Sequence, residues 1–217
     1  MSLRVVVLLS SRGSNFEAIA DYFSNSPKVD ITGVISNRPD AGGLDFAAAR
    51  GIPTQVIDHK QYEQREAFDR DLLKATLEFT PDLVVLAGFM RILTDEYVRP
   101  LMGKLINIHP SLLPAYPGLN THQRAIDAGD NYGGCSVHFV TPKLDAGPPI
   151  MHAKAAIQVG DTADKLAQKV LKQEHLLYPK VVELFADSRL ELACKAEPFT
   201  AVLNGEPLPS QGLPITY

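Results

Sequence analysis

The chain has 217 residues, 45% hydrophobic and 21% charged, with a formal net charge of −4 at pH 7. That length and balance suit one substantial globular core rather than a disordered or fibrous chain. The acidic balance argues against a nucleic-acid partner, and no apolar run approaches the ~18 residues that a membrane span needs.

Short apolar runs alternate with amphipathic stretches through the first half. Strands are expected at Arg4–Leu9, Ile31–Ser36, Thr54–Ile57, Leu83–Ala87 and Lys104–Ile108, with helices at Asn15–Ser24, Leu44–Arg50 and Tyr62–Phe79. The first run is too short for a signal peptide and reads as a buried strand. This rhythm predicts an α/β fold, Rossmann-like, with a mostly parallel sheet and helices on both faces. Continuous runs such as Val84-Val85-Leu86 fit strands buried on both sides.

The second half changes character. Gly134–Thr141 and Ile150–Ile157 read as two antiparallel strands added to the sheet. A long amphipathic helix is expected over Ala163–Phe185, capped by Asp161 or Thr162 and kinked or restarted at Pro179. The last twenty residues are proline-rich and weakly periodic, and are expected to wrap on the surface as a tail. The expected organisation is therefore one α/β domain over residues 1–190 with a C-terminal extension, 191–217, packed on it. Cys135 and Cys194 are too few for a disulfide framework. Reduced thiols in a cytoplasmic protein are expected, with Cys135 in the core.

Several segments carry candidate chemistry. Leu9-Ser10-Ser11-Arg12-Gly13-Ser14-Asn15 joins the first strand to the first helix. Helix N-terminal N–H groups there make an anion site, and Gly13 lets a phosphate approach closely; alternatively Ser14 merely caps the helix. One glycine stands where a dinucleotide fingerprint needs three, so a single phosphate fits better than NAD. Gly88-Phe89-Met90-Arg91-Ile92-Leu93 reads either as a pocket lining for a flat, partly apolar ligand or as a helix start.

Asn107 and His109 stand two apart at the end of a strand, on one face, where the carboxyl ends of an open α/β sheet receive ligands. A carboxamide and an imidazole together suit the developing charge of acyl transfer. Asp145, in a loop before Ala146-Gly147, is either a turn residue or a carboxylate that folds back on His109 and favours the imidazolium. Glu174 is either a solvated helix charge or a partner for an amine. His59, His122, His138 and His152 lack metal-ligand spacing, so no metal is expected, and Ser111 lacks a nucleophile-elbow setting.

Six segments in order resemble the phosphoribosylglycinamide formyltransferase family of folate-dependent enzymes, from the first strand to about Phe185. They are Arg12-Gly13-Ser14-Asn15, Ala87 to Leu93, Asn107-Ile108-His109-Pro110-Ser111-Leu112-Leu113-Pro114, Ser136 to Val140, Leu144 to Pro148, and Gln173-Glu174-His175. The resemblance implies formyl transfer from 10-formyltetrahydrofolate to the glycinamide amine of a ribose 5-phosphate substrate, in de novo purine biosynthesis. Carried onto this chain, it assigns Gly13, Ser14 and Asn15 to the substrate phosphate and Leu171, Lys172, Gln173 and Glu174 to the glycinamide substrate. Arg65, Met90, Arg91, Ile92, Leu93 and Asn107 would hold the folate, together with Thr141, Pro142, Lys143, Leu144 and Asp145. Asn107, His109 and Asp145 would be the catalytic trio, and Leu113-Pro114 a cis peptide.

Ser11, Arg12 and Asn120 depart from the family's usual glycine, asparagine and histidine. The partners implied are small molecules, without nucleic acid or membrane, for a cytoplasmic monomer or homodimer. Other formyl-handling enzymes share the core. A tRNA formyltransferase is expected to carry a further β-domain and Arg-Gly-Ala where this chain has Tyr116-Pro117-Gly118, and a formyltetrahydrofolate hydrolase an N-terminal regulatory domain. A non-enzymatic nucleotide sensor would need the phosphate loop but not the trio.

Overall fold

The computed structural model describes residues 1–193 and 198–216, so Cys194 lies outside the described residues. Its centre is an eight-stranded sheet of order β11-β7-β6-β5-β4-β1-β2-β3. β1 (Leu3–Leu9), β2 (Val29–Ser36), β3 (Thr54–Val56), β4 (Leu83–Leu86) and β5 (Leu105–His109) pair in parallel. Helices α1 (Ser14–Tyr22), α2 (Gly42–Ala49) and α3 (Arg65–Glu78) connect them, near their expected bounds, followed by a short α4 (Asp95–Val98). Neither α4 nor α5 (Thr121–Asp127) was legible in the sequence, because each is too short to show a helical period.

The unbroken Val5-Val6-Val7-Leu8-Leu9 run is fully buried because two layers cover it. Val5, Val7 and Leu9 share a core with Phe16 and Ile19 of α1 and with Leu166, Val170, Leu177 and Val181 of α6 (Ala163–Ala186). Val6 and Leu8 point the other way, into a core with Phe68, Leu72 and Ala75 of α3. Each such side chain contributes about 1.5–3 kcal/mol through burial. β1 lies between β2 and β4, so the chain reverses its direction of travel there and leaves a crevice beyond the carboxyl ends of β1 and β4.

β6 (Tyr132–Phe139) runs antiparallel to β5, and β7 (Pro149–Ala156) antiparallel to β6. α6 is capped by Thr162, whose hydroxyl accepts the Lys165 N–H at 3.3 Å, and does not restart at Pro179. Pro179 and its neighbours Tyr178, Val181 and Val182 are buried, and this packing carries the helix across the missing N–H. The expected irregular tail is corrected. β8 (Leu190–Ala193), β9 (Thr200–Leu203) and β10 (Glu206–Pro207) form a three-stranded antiparallel sheet, and β11 (Leu213–Pro214) adds in parallel to β7. These strands have two to four residues each, too few to show an alternating period among prolines. Among the described residues, no helix is long and apolar enough to cross a membrane.

Candidate active site

Two loops at the carboxyl ends of β1 and β4 frame one half of the site. After Leu9 the chain turns through Ser10–Gly13 into α1, and Gly13 takes φ +79°. That left-handed conformation is one glycine adopts without strain, and a Cβ there would meet Leu9 Cδ2 at 3.0 Å. The turn presents the first main-chain N–H groups of α1 to an incoming anion. Asn15, which the resemblance assigns to the phosphate, donates from its Nδ2 to Glu174 Oε2 at 2.7 Å in a buried contact. The loop between β1 and α1 is thereby tied to the middle of α6. Burial pushes the Glu174 carboxyl up, and the Asn15 hydrogen bond opposes that shift. Arg12 reaches outward, 82% exposed and 3.7 Å from Glu17.

The β4 loop, Gly88–Leu93, leaves Met90 and Ile92 exposed and buries Leu93 among Leu86, Phe89 and Tyr97, with Val140 packed alongside. Arg91 lies 5.7 Å over the Phe68 ring. Arg65 opens α3 with its side chain 46% exposed, paired with Glu66 at 4.0 Å. Lys172 and Leu171 lie exposed on α6, with Glu174 buried beneath them. The sequence-derived phosphate and amine-side groups therefore meet at one contact, Asn15 with Glu174.

Of the expected trio, His109 and Asp145 come together directly, and Asn107 reaches Asp145 by way of His138. His109 and Asp145 side chains are each 7% exposed, with Nδ1 3.5 Å from Oδ2. The His109 Nε2–H donates to the Tyr116 carbonyl at 2.9 Å. Both ring nitrogens of His109 therefore face an acceptor oxygen. Asp145 takes φ +50° in its loop, and its Oδ2 also accepts the Gly118 N–H at 2.9 Å. The path of that loop is narrow, since a Cβ on Gly147 would sit 1.8 Å from the Phe139 carbonyl oxygen. The Leu113-Pro114 peptide is cis. Asn120 precedes α5 with φ +57°, a conformation asparagine tolerates, and that gives this family departure a local role.

A fourth member was not singled out from sequence. His138 lies opposite Asn107 in the β5–β6 register, fully buried, and its Nδ1 donates to the Phe139 carbonyl at 2.8 Å. Its Nε2 is thus left as an acceptor, 3.2 Å from Asn107 Nδ2 and 3.9 Å from Asp145 Oδ1. Burial holds His138 neutral, with its pKa pushed down to about 4. The network therefore assigns the NH2 group of Asn107 to His138, and the second N–H of that nitrogen remains for a ligand. The signal that finds His138 is strand pairing, which periodicity alone does not supply.

Cys135 is fully buried on β6, and burial pushes its thiol up, away from nucleophilic use. Among the described residues, no group of three or more His, Cys, Asp or Glu is arranged to hold a metal ion.

The sequence profile of the formyl transferase family matches residues 3–182. The chain is 46% identical to the phosphoribosylglycinamide formyltransferase of Escherichia coli K12, over 97% of this chain and 98% of that protein. It is 43% identical to the human trifunctional purine biosynthetic protein adenosine-3, over 87% of this chain and 19% of that longer protein. The solved phosphoribosylglycinamide formyltransferase of Coxiella burnetii superposes with a TM-score of 0.92 at 42% identity, covering 100% of both chains.

Proposed function

Because the chain belongs to the formyl transferase family, we propose that it moves the formyl group of 10-formyltetrahydrofolate to the glycinamide amine of 5'-phosphoribosylglycinamide. The products are formylglycinamide ribonucleotide and tetrahydrofolate, and the step belongs to de novo purine biosynthesis. The observation that carries the mechanism is the meeting of half-buried Asn107 with the buried side chains of His109, His138 and Asp145.

The neutral amine attacks the formyl carbon directly, so no acyl-enzyme is needed. A tetrahedral intermediate forms, its oxyanion accepting the second N–H of Asn107. His109 supplies a further N–H once Nε2 leaves the Tyr116 carbonyl, and Asp145 stabilises the imidazolium. The carbon–N10 bond then breaks, and the proton lost by the amine passes to the folate nitrogen, relayed near Asp145. Gly13, Ser14 and Asn15 bind the phosphate, and Leu171, Lys172, Gln173 and Glu174 lie along the glycinamide. Arg65, Met90–Leu93, Asn107 and Thr141–Asp145 hold the folate.

In this reading residues 1–190 are the catalytic domain and 191–217 an extension packed on it. The protein acts in the cytoplasm on small molecules, as a monomer or homodimer, without nucleic acid. The test is an assay of purified protein with both substrates. Tetrahydrofolate release that depends on the amine is expected, and its absence overturns the reading. His109→Ala or Asp145→Ala retaining near-full rate would overturn the mechanism alone.

A further inference from the structure

The segment Met90–Thr94 is held at its two ends by buried side chains from two different elements. At one end, the Met90 N–H donates to Ser10 Oγ at 2.7 Å. Ser10 is 3% exposed, and its hydroxyl donates onward to Asn37 Oδ1 at 2.6 Å. The direction of this chain is fixed. A main-chain N–H can only donate, so Ser10 Oγ accepts from Met90 and spends its own hydrogen on Asn37. The Ser10 N–H also donates to the Gly88 carbonyl at 3.2 Å, so one residue links the β1 and β4 loops with both main chain and side chain. At the other end, the Thr94 N–H donates to Asp69 Oδ2 at 2.5 Å, and Asp69 is 1% exposed on α3.

Between these anchors, among the described residues, no hydrogen bond engages the main chain of Arg91, Ile92 or Leu93. Its N–H and C=O groups have no partner within the described residues, on a backbone whose ends cannot shift without breaking a buried hydrogen bond. Ser10 also begins the turn that leads to Gly13, so the segment assigned to the folate and the loop assigned to the phosphate share a root.

We propose that Ser10 and Asp69 are positioning residues that preorganise Met90–Thr94 for the folate, an inference that rests on the functional reading above. Neither touches substrate. Each acts by fixing one end of the segment whose main chain does.

The test compares wild type with Ser10→Ala, Asp69→Ala and Asp69→Asn, the last of which keeps an oxygen able to accept from Thr94. Tetrahydrofolate affinity is measured by calorimetric titration, both Michaelis constants by turnover, and folding by thermal melting. Ser10→Ala and Asp69→Ala are expected to weaken tetrahydrofolate about tenfold, the size of one lost hydrogen bond, and to raise the folate KM alike. The amine KM should stay within about twofold, and Asp69→Asn should recover most of the folate affinity. Should Asp69→Ala fail to fold, Ser10→Ala and Asp69→Asn decide the matter. Unchanged folate affinity in folded Ser10→Ala, or an equal rise in both Michaelis constants, overturns the proposal. Wild type that neither binds tetrahydrofolate nor turns over instead overturns the functional reading.

Discussion

Asn107 and His138 face each other in register across the antiparallel β5–β6 pair, and their side chains meet at 3.2 Å. The contact makes an imidazole, buried and neutral, responsible for the direction in which a carboxamide points. His138→Ala is expected to free the amide to rotate and to lower kcat by about 10²-fold, as loss of an oxyanion donor does. His138→Gln, which restores an acceptor, should lose less. Steady-state kinetics of the two variants checks this, and equal losses would refute the orienting role.

His138 also predicts a pH dependence of stability. Its pKa falls from 6.5 in the unfolded chain to about 4 in the folded one, so below pH 6.5 the unfolded chain binds a proton that the native state refuses. Stability attached to this group is present above pH 6.5 and is lost as pH falls toward about 4, by on the order of 3 kcal/mol. Urea titrations of wild type and His138→Gln across that window should converge as the pH falls.

Glu174 has the opposite sign. Burial raises its carboxyl above 4.5, so the folded state keeps a proton longer than the unfolded chain as pH rises. Its ionisation therefore costs stability above the folded pKa. Glu174→Gln, which still accepts from Asn15, should melt above wild type near pH 7.5, with the gap closing toward pH 4.5. The same substitution should raise the KM for the amine substrate. Paired melting curves and kinetics test both halves.

Tyr178 lies within α6, and its hydroxyl is within reach of the Leu86 and Ile106 carbonyls, at 3.0 and 3.2 Å. It joins the helix that carries Glu174 to the strands that lead to Gly88 and Asn107. Tyr178→Phe leaves buried acceptors without that donor and should cost about 1–3 kcal/mol. A fall in the melting midpoint of roughly 2–10 °C is expected, read by calorimetry.

Cys135 should be chemically silent in the native state, since burial disfavours its thiolate. In a Cys194→Ser background, a thiol-reactive chromophore should react with no native cysteine and with one equivalent after denaturant is added. Rapid native reaction would contradict the buried placement.

The parallel half of the fold was legible because Val and Leu runs between amphipathic stretches leave few alternatives to a doubly covered sheet. Asn107, His109 and Asp145 were legible as residue types in suggestive places, while their convergence depended on a loop closing over a strand. His138 was hidden because an alternating strand names its faces and not its partner. Ser10 and Asp69 were hidden for a related reason: a serine after a strand and an aspartate on a helix look like solvated residues until the element they support is known. The C-terminal strands escaped because two to four residues carry no period.

The two halves of the Asn107, His109, His138 and Asp145 cluster sit on backbone of unequal durability. Asn107 and His138 belong to strands in the interior of an eight-stranded sheet, whereas Asp145 belongs to a loop held by a few contacts, among them the Gly118 N–H. Amide protons around Asn107 should therefore exchange with solvent only through openings near the global limit, and those around Asp145 through small local ones. A transient excursion of the loop would part the carboxylate from the imidazole while leaving the carboxamide aimed as before. The carboxamide half of the cluster lasts as long as the sheet does, and the carboxylate half, carried on its loop, can part and re-form while the sheet stays folded.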